Sequence, residues 1–242
     1  MADSPEHLVK SYDLELKRLN AMICEMGGIV ENQVALATNA IVLRDAEAAA
    51  RTVQEDARVD ALEREIEQFV IRMLALRQPM AGDLRQIVAS LKITTDLERI
   101  GDYATNVAKR GITLAQFNVP YSLTGLAHMA HLVQEQLKSI IDALATNDAA
   151  KAIEVWHADQ AVDNLYNTIF RELITYMMED PRNITPCTHL LFIAKNLERI
   201  GDHATNVAET IHYAATGSVL PDARPKGDTS AYTVVRPVGE QA

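Results

Sequence analysis

Residues 96–108 read DLERIGDYATNVA, and residues 196–208 read NLERIGDHATNVA. Eleven of the thirteen positions are identical at a spacing of 100, about half the chain, so the first implication is an internal duplication. The repeated string keeps Glu-Arg-Ile-Gly-Asp, with two carboxylates four residues apart beside a glycine. Repeated polar, charged and glycine positions point to a site more than repeated leucines would.

Around the string the apolar residues recur at three and four. Val59, Leu62, Ile66, Phe69, Val70 and Met73 do so, then Leu84, Ile87, Val88, Leu91, Leu97, Ile100, Ala104, Val107 and Ala108. This is the period of an amphipathic helix. Breakers divide the pattern. Leu43-Arg44-Asp45 ends a first long helix, and Asp45 caps the next. Gln78-Pro79-Met80-Ala81-Gly82-Asp83 is the second turn, with Asp83 as cap, and Asn118-Val119-Pro120 closes the third helix. Ser122 or Thr124 opens a fourth, which Thr146-Asn147-Asp148 ends. The fifth runs to about Met178, before Glu179-Asp180-Pro181-Arg182. The sixth begins by Thr185-Pro186, a cap followed by proline, and stops before Gly217. Three helices are thus followed by three. Asp56-x-x-Val59-Asp60-x-Leu62 also matches Asp159-x-x-Val162-Asp163-x-Leu165, at a spacing of 103. The difference of three residues falls in the turns before the third and sixth helices. The expected fold is all-α: two pseudo-symmetric antiparallel three-helix bundles, over 1–118 and 119–216, with a Pro/Gly-containing tail at 217–242.

Composition agrees. The chain has 242 residues, 48% of them apolar but only 5% aromatic, a balance that favours helices over sheets. A formal charge of −10 argues against binding nucleic acid or an anionic membrane surface. Cys24 and Cys187 lie far apart and outside any CxxC pattern, so neither a disulfide framework nor a thiolate zinc site is expected, and a reducing cytoplasm is the simplest setting. Met1 to Lys10 lacks the apolar run of a signal peptide, and no apolar run is long enough to span a membrane. Any action at a membrane is expected to pass through a partner.

On a helix, residues four apart lie about 40° from one another. Glu98 and Asp102 therefore share a face, beside the apolar stripe of Leu97, Ile100, Ala104 and Val107. Asp56 and Asp60 sit likewise beside Val59, Leu62 and Ile66. If the second and third helices pack antiparallel, the two acidic pairs meet across the groove, and Asp159, Asp163, Glu198 and Asp202 meet in the other half. Converging carboxylates repel unless a cation sits between them or their pKa values rise. Oxygen-only ligands suit Mg²⁺, Mn²⁺, Ca²⁺ or iron. The alternative is an ordinary i, i+3 salt bridge, Arg99–Asp102 and Arg199–Asp202. Gly101 and Gly201 fall on the apolar stripe, where glycine costs about 1 kcal/mol against alanine. Close approach of a neighbouring helix is the expected compensation.

Asn106 and Asn206 are placed to join a site but read better as solvated. Glu154-x-x-His157 and Glu209-x-x-His212 match the ExxH spacing of di-iron bundles. Neither recurs in the first half, so both read as chance. No phosphate-binding glycine loop, nucleophile elbow or catalytic triad is legible, and no catalytic residue is assigned.

Across about residues 5–216 the doubled LERIGD-x-A-T-N string, both DxxxD pairs and the Glu-Asp-Pro-Arg turn resemble the PhoU family, bacterial accessory proteins of phosphate transport. The resemblance implies two three-helix repeats. It also implies multinuclear metal clusters of iron, zinc, magnesium or manganese at Asp56, Asp60, Glu98, Asp102, Asp159, Asp163, Glu198 and Asp202. It further implies a cytoplasmic, homodimeric negative regulator of phosphate uptake and of the phosphate-starvation response. Such a regulator connects the ATPase subunit of the phosphate ABC transporter to the sensor histidine kinase PhoR. Two alternatives stand beside it: a carboxylate-bridged metalloenzyme, and a metal-free helical scaffold.

Overall fold

In a computed structural model of the protein, residues 5–43, 45–117, 122–220 and 230 are described, with side chains from Tyr12 onward. Six long helices follow one another: α1 (Pro5–Val42), α2 (Ala46–Arg77), α3 (Ala81–Leu114), α4 (Thr124–Thr146), α5 (Ala149–Glu179) and α6 (Ile184–Thr216). Two carboxylates start the middle helix of each half. Asp45 Oδ1 accepts the Glu47 and Ala48 amides at 3.0 Å, and Asp148 Oδ1 accepts those of Ala150 and Lys151 at 2.9 and 3.1 Å. These bonds satisfy donors that an uncapped helix leaves open. Left-handed residues stop α2 at Gln78, α4 at Asn147 and α6 at Gly217 (φ 75°).

Two helix starts differ from expectation. Met80 stands in the extended region before α3, so the helix begins at Ala81 and Asp83 lies in its first turn instead of capping it. Ahead of α6, Asp180 accepts the Arg182 amide at 2.9 Å and sets a short 3-10 turn over Pro181–Asn183. That turn runs straight into α6 at Ile184, so Thr185 and Pro186 sit inside the first turn, where a missing N–H is tolerated. Arg44 and Asn118-Val119-Pro120 lie outside the described residues, as does the tail beyond Leu220 apart from Ser230.

Helices α1–α3 form one three-helix bundle and α4–α6 the other, and the halves meet chiefly along α3 and α6, with α1 against α4. The two central helices therefore need an apolar stripe on more than one side. That is why Leu97, Ile100, Ala104, Val107 and Ala108, and their counterparts at Leu197, Ile200, Ala204, Val207 and Ala208, are all at most 1% exposed. Each such leucine or isoleucine stabilises the fold by about 1.5–3 kcal/mol relative to an exposed position. The two positions at which the strings differ touch each other across this seam: His203 Nδ1 lies 2.7 Å from Asp96 Oδ1, and the rings of Tyr103 and His203 are 5.6 Å apart. No described helix is long and apolar enough to cross a membrane.

Candidate metal centres between facing helices

In the first half, α2 carries Asp56 and Asp60 and α3 carries Glu98 and Asp102, all partly buried. Thr105, from the repeated Ala-Thr-Asn, donates to Asp56 Oδ1 at 3.1 Å. Burial raises the Asp56 carboxyl above its usual value against that hydrogen bond, with the charges of Asp102 and Asp60 adding to the rise. Burial likewise lifts Glu98 to about 7, helped by Asp102 and Glu63 and, more weakly, by Asp60. These influences run between α2 and α3, so the two acidic pairs face one another across the groove, joined directly through the Thr105–Asp56 hydrogen bond. The expected Arg99–Asp102 salt bridge is present but loose. Arg99 reaches Asp102 at 3.8 Å and Glu98 at 3.6 Å, with its side chain 55% exposed, so it neutralises the cluster weakly.

Glu63 belongs to this cluster and was not expected. Burial raises it above its usual value, with Glu67 and Asp60 adding to the rise. It stands three residues after Asp60, on the same face, which is a readable signal. Its counterpart at a spacing of 103 is Tyr166, so comparing the repeats discards it.

The second half is more enclosed. Asp159, Asp163 and Glu198 are 1, 2 and 4% exposed, and Asp202 is partly buried. Lys195 donates to Glu198 Oε1 at 2.8 Å and lies over the Tyr166 ring, 4.9 Å from its centre. Arg199 turns to the other half, 5.6 Å above the Tyr103 ring.

The glycines explain the spacing of the string. A Cβ on Gly101 would lie 3.0 Å from Gln33 Oε1, and one on Gly201 would lie 2.9 Å from Asp159 Oδ1 and 3.2 Å from Gln136 Oε1. The close approach expected there is made by polar side chains. Gln33 on α1 and Gln136 on α4, also 103 apart, are the matching residues that sequence reasoning missed. Each lies buried against the repeated glycine, and neither Oε1 accepts a hydrogen bond among the described residues. The remaining candidates separate from the acids. Asn106 is exposed, and Asn206 reaches Asp96 at 3.4 Å. Glu154 and His157 are exposed, Glu209 accepts from Trp156 at 2.9 Å, and His212 faces Ser218 O at 3.1 Å. No ExxH pair reaches a carboxylate cluster in these bonds.

The residues present fit a hard cation in two respects. The acidic donors are all oxygen, and the buried Oε1 atoms of Gln33 and Gln136 stand without a hydrogen bond among the described residues, beside the glycine cradles; in the second half the Lys195 ammonium already stands against Glu198. As the side chains stand, no three His, Cys, Asp or Glu among the described residues converge on one point, so a cation would have to draw the carboxylates inward. Bound, it would neutralise the cluster and tie α2 to α3, or α5 to α6.

The PhoU domain profile matches this chain twice, over residues 23–111 and 126–211. A "Phosphate-specific transport system accessory protein PhoU homolog" of Caulobacter vibrioides is 54% identical over 224 residues, covering 92% of this chain and 97% of the relative. The homolog of the same name from Rhizobium meliloti is 49% identical over 229 residues, covering 94 and 97%. The crystal structure of PhoU from Pseudomonas aeruginosa superposes with a TM-score of 0.83 at 40% identity, over 86% of this chain and all of that one. The phosphate transport system regulatory protein PhoU from Streptococcus pneumoniae gives 0.80 at 29% identity, over 86 and 99%.

Proposed function

This chain belongs to the PhoU family, and from that premise we propose that it is an accessory protein of phosphate-specific transport. In this role it is a cytoplasmic negative regulator of phosphate uptake and phosphate-starvation signalling, not an enzyme. It links the ATPase subunit of the phosphate ABC transporter to the sensor histidine kinase PhoR and works as a homodimer. Its units are the repeats 1–118 and 119–216 and a tail at 217–242. The observation that carries the proposal is identity of 54% along 97% of a relative bearing that accessory name. The geometry is compatible with docking: the described residues offer long helix faces and clustered carboxylates.

The acidic clusters enter as metal-binding sites, with Asp56, Asp60, Glu98 and Asp102 in one repeat and Asp159, Asp163, Glu198 and Asp202 in the other. Their work is structural: a bound cation fixes the angle between facing helices and so the surface shown to partners. Deleting the gene in cells with a phosphate-regulated reporter tests the regulator. Expression that no longer responds to abundant phosphate, restored by the wild-type gene, is the expected result. A reporter that still shuts off in the deletion strain refutes it. Complementation with all eight carboxylates changed to amides tests the clusters, and full restoration would remove them from the mechanism.

A further inference from the structure

The two acidic clusters occupy equivalent places in the repeats, yet the residues beside the acids differ at two positions. Where the second half has Lys195, the first has Thr95, which is exposed and donates to its own helix at Leu91 O, 3.2 Å away. Where the second half has Tyr166, 5% exposed, the first has the partly buried carboxylate Glu63. The first cluster therefore holds an extra acid and a threonine where the second holds an aromatic ring and a lysine.

Burial makes the difference matter. Carboxylates at 1–4% exposure have lost their water and require a compensating charge or hydrogen bonds. The Lys195 ammonium supplies that charge at 2.8 Å from a Glu198 side chain that is 5% exposed. The first cluster's ion pairs are with Arg99, at 3.6 Å or more and with its side chain 55% exposed, while Lys109 and Arg64 act weakly on Asp56 and Glu63. Lys109 and Glu209 reverse the pattern at the far end of the same helices. Lys109 is the weakest influence on Asp56, and Glu209 is engaged by Trp156. Lys109 is not among the charges that act on Glu98. A cation entering the second cluster must also displace an ion pair whose Glu198 side chain is buried and whose half-buried Lys195 lies over the Tyr166 ring. A cation entering the first meets half-open carboxylates.

We propose that the repeats are unequal toward cations. Lys195 is the resident counter-ion of the second cluster, and a divalent cation enters the first, at Asp56, Asp60, Glu63, Glu98 and Asp102. This rests on the metal-binding reading above for the first cluster and replaces it for the second. Glu63 is then a ligand peculiar to the first repeat, and Lys195 sets which repeat is metal-responsive.

The test is calorimetric titration of the chelator-stripped full chain with Mn²⁺, alongside melting of the same proteins. Wild type is expected to bind Mn²⁺ in the first repeat only, with Glu63→Gln weakening that binding at least tenfold. Lys195→Met keeps the apolar stem and removes the charge. It should open a second class of Mn²⁺ sites and lower the melting temperature of the stripped protein, with Mn²⁺ restoring it. A packing role alone predicts the lower melting temperature without rescue by Mn²⁺. Thr95→Lys places an ammonium in the first cluster and should abolish the wild-type binding, an arm that stands even if Lys195→Met folds poorly. Equal Mn²⁺ binding by both repeats of the wild type, or binding unchanged by Thr95→Lys, overturns the inequality and leaves the metal-binding reading intact. No Mn²⁺ binding by wild type or Lys195→Met overturns both.

Discussion

Alanine at Gly201 and alanine at Gly101 should have different consequences, although the two glycines occupy the same place in the two repeats. In the interior of a helix, glycine to alanine gains about 1 kcal/mol where the methyl group has room. At Gly101 the new Cβ would meet one tight neighbour, Gln33 Oε1 at 3.0 Å, with Val59 and Val30 at ordinary contact. A long glutamine can yield a few tenths of an ångström while keeping its 3.4 Å bond to Thr52 O. The cost there offsets the gain, and Gly101→Ala should melt near wild type. At Gly201 the Cβ would lie 2.9 Å from Asp159 Oδ1 and 3.2 Å from Gln136 Oε1. Asp159 has only two side-chain torsions and is 1% exposed, so it has no open space to turn into, and Gln136 at 5% exposure hems it in. Overpacking of this kind costs about 1–3 kcal/mol, which outweighs the propensity gain and leaves Gly201→Ala about 1 kcal/mol less stable than wild type. For a chain of this length that is a drop of about 2–4 °C. Both variants and the wild type would be melted side by side, stripped of divalent ions, by circular dichroism at 222 nm. If Gly201→Ala melts at or above Gly101→Ala, the crowding of Asp159 against the α6 glycine is wrong, and so is the account of why the string keeps its glycine.

Three further outcomes can be checked with similar measurements. Asp45→Ala and Asp148→Ala each remove two cap bonds to backbone amides and should each cost about 1 kcal/mol in denaturant unfolding. A cycle of Asp96→Ala, His203→Ala and the double variant should give a coupling of about 1 kcal/mol, since the pair meets at 2.7 Å across the α3–α6 seam; additive losses would show that it adds nothing. Glu15 accepts Arg77 Nε and Nη2 at 2.8 and 2.9 Å, and the hydrogen bond and charge of Arg77 hold its carboxyl below the usual 4.5. The stabilisation is complete above about pH 4.5 and is lost as pH falls through the lower folded value. Arg77→Met should therefore be less stable at pH 7 and show less of that acid loss, and identical acid limbs would refute the linkage.

The features legible in the sequence are those with local causes. Periodicity at three and four located the second and third helices, and breaker residues between the apolar runs set the limits of the rest. The Asp45 cap and the Gly217 stop were legible because side-chain-to-amide bonds and left-handed backbone select particular residues. Asp83 and Thr185 misled because the helix start was fixed by neighbours: extended backbone at Met80, and a 3-10 turn nucleated by Asp180. The acidic pairs were found through their repetition, and the same logic hid what does not repeat. Glu63 corresponds to Tyr166 and Lys195 to Thr95 in the alignment of halves, so a search for repeated residues passes over each. Gln33 and Gln136 do repeat, but a lone glutamine in a helix carries no signal until the glycine it covers is known.

A duplicated acidic cluster that has kept its carboxylates but changed their surroundings argues for divided labour more than for two equal clusters. The two mismatches inside the thirteen-residue string, at 96/196 and 103/203, support this independently. Symmetry would place Asp96–His203 and Asn196–Tyr103 as equivalent contacts. Only the first of these pairs a carboxylate with an imidazole, and Tyr103 stacks on the same His203. Divergence has thus gone to the seam between the repeats and to the counter-ion beside each cluster, while the acids, the glycine and the packing stripe stayed fixed. If cation binding in the first repeat pulls α2 onto α3, the motion reaches α6 through the α3–α6 seam, because α3 is the helix common to both contacts. The second repeat, held by Lys195, would then serve as the fixed frame against which that motion is felt. Cross-linking the seam with a cysteine pair should leave Mn²⁺ affinity in the first repeat intact and suppress any cation-dependent change in amide-exchange protection along α6. Unchanged α6 protection in the uncross-linked protein on Mn²⁺ binding would end this argument for transmission through the seam.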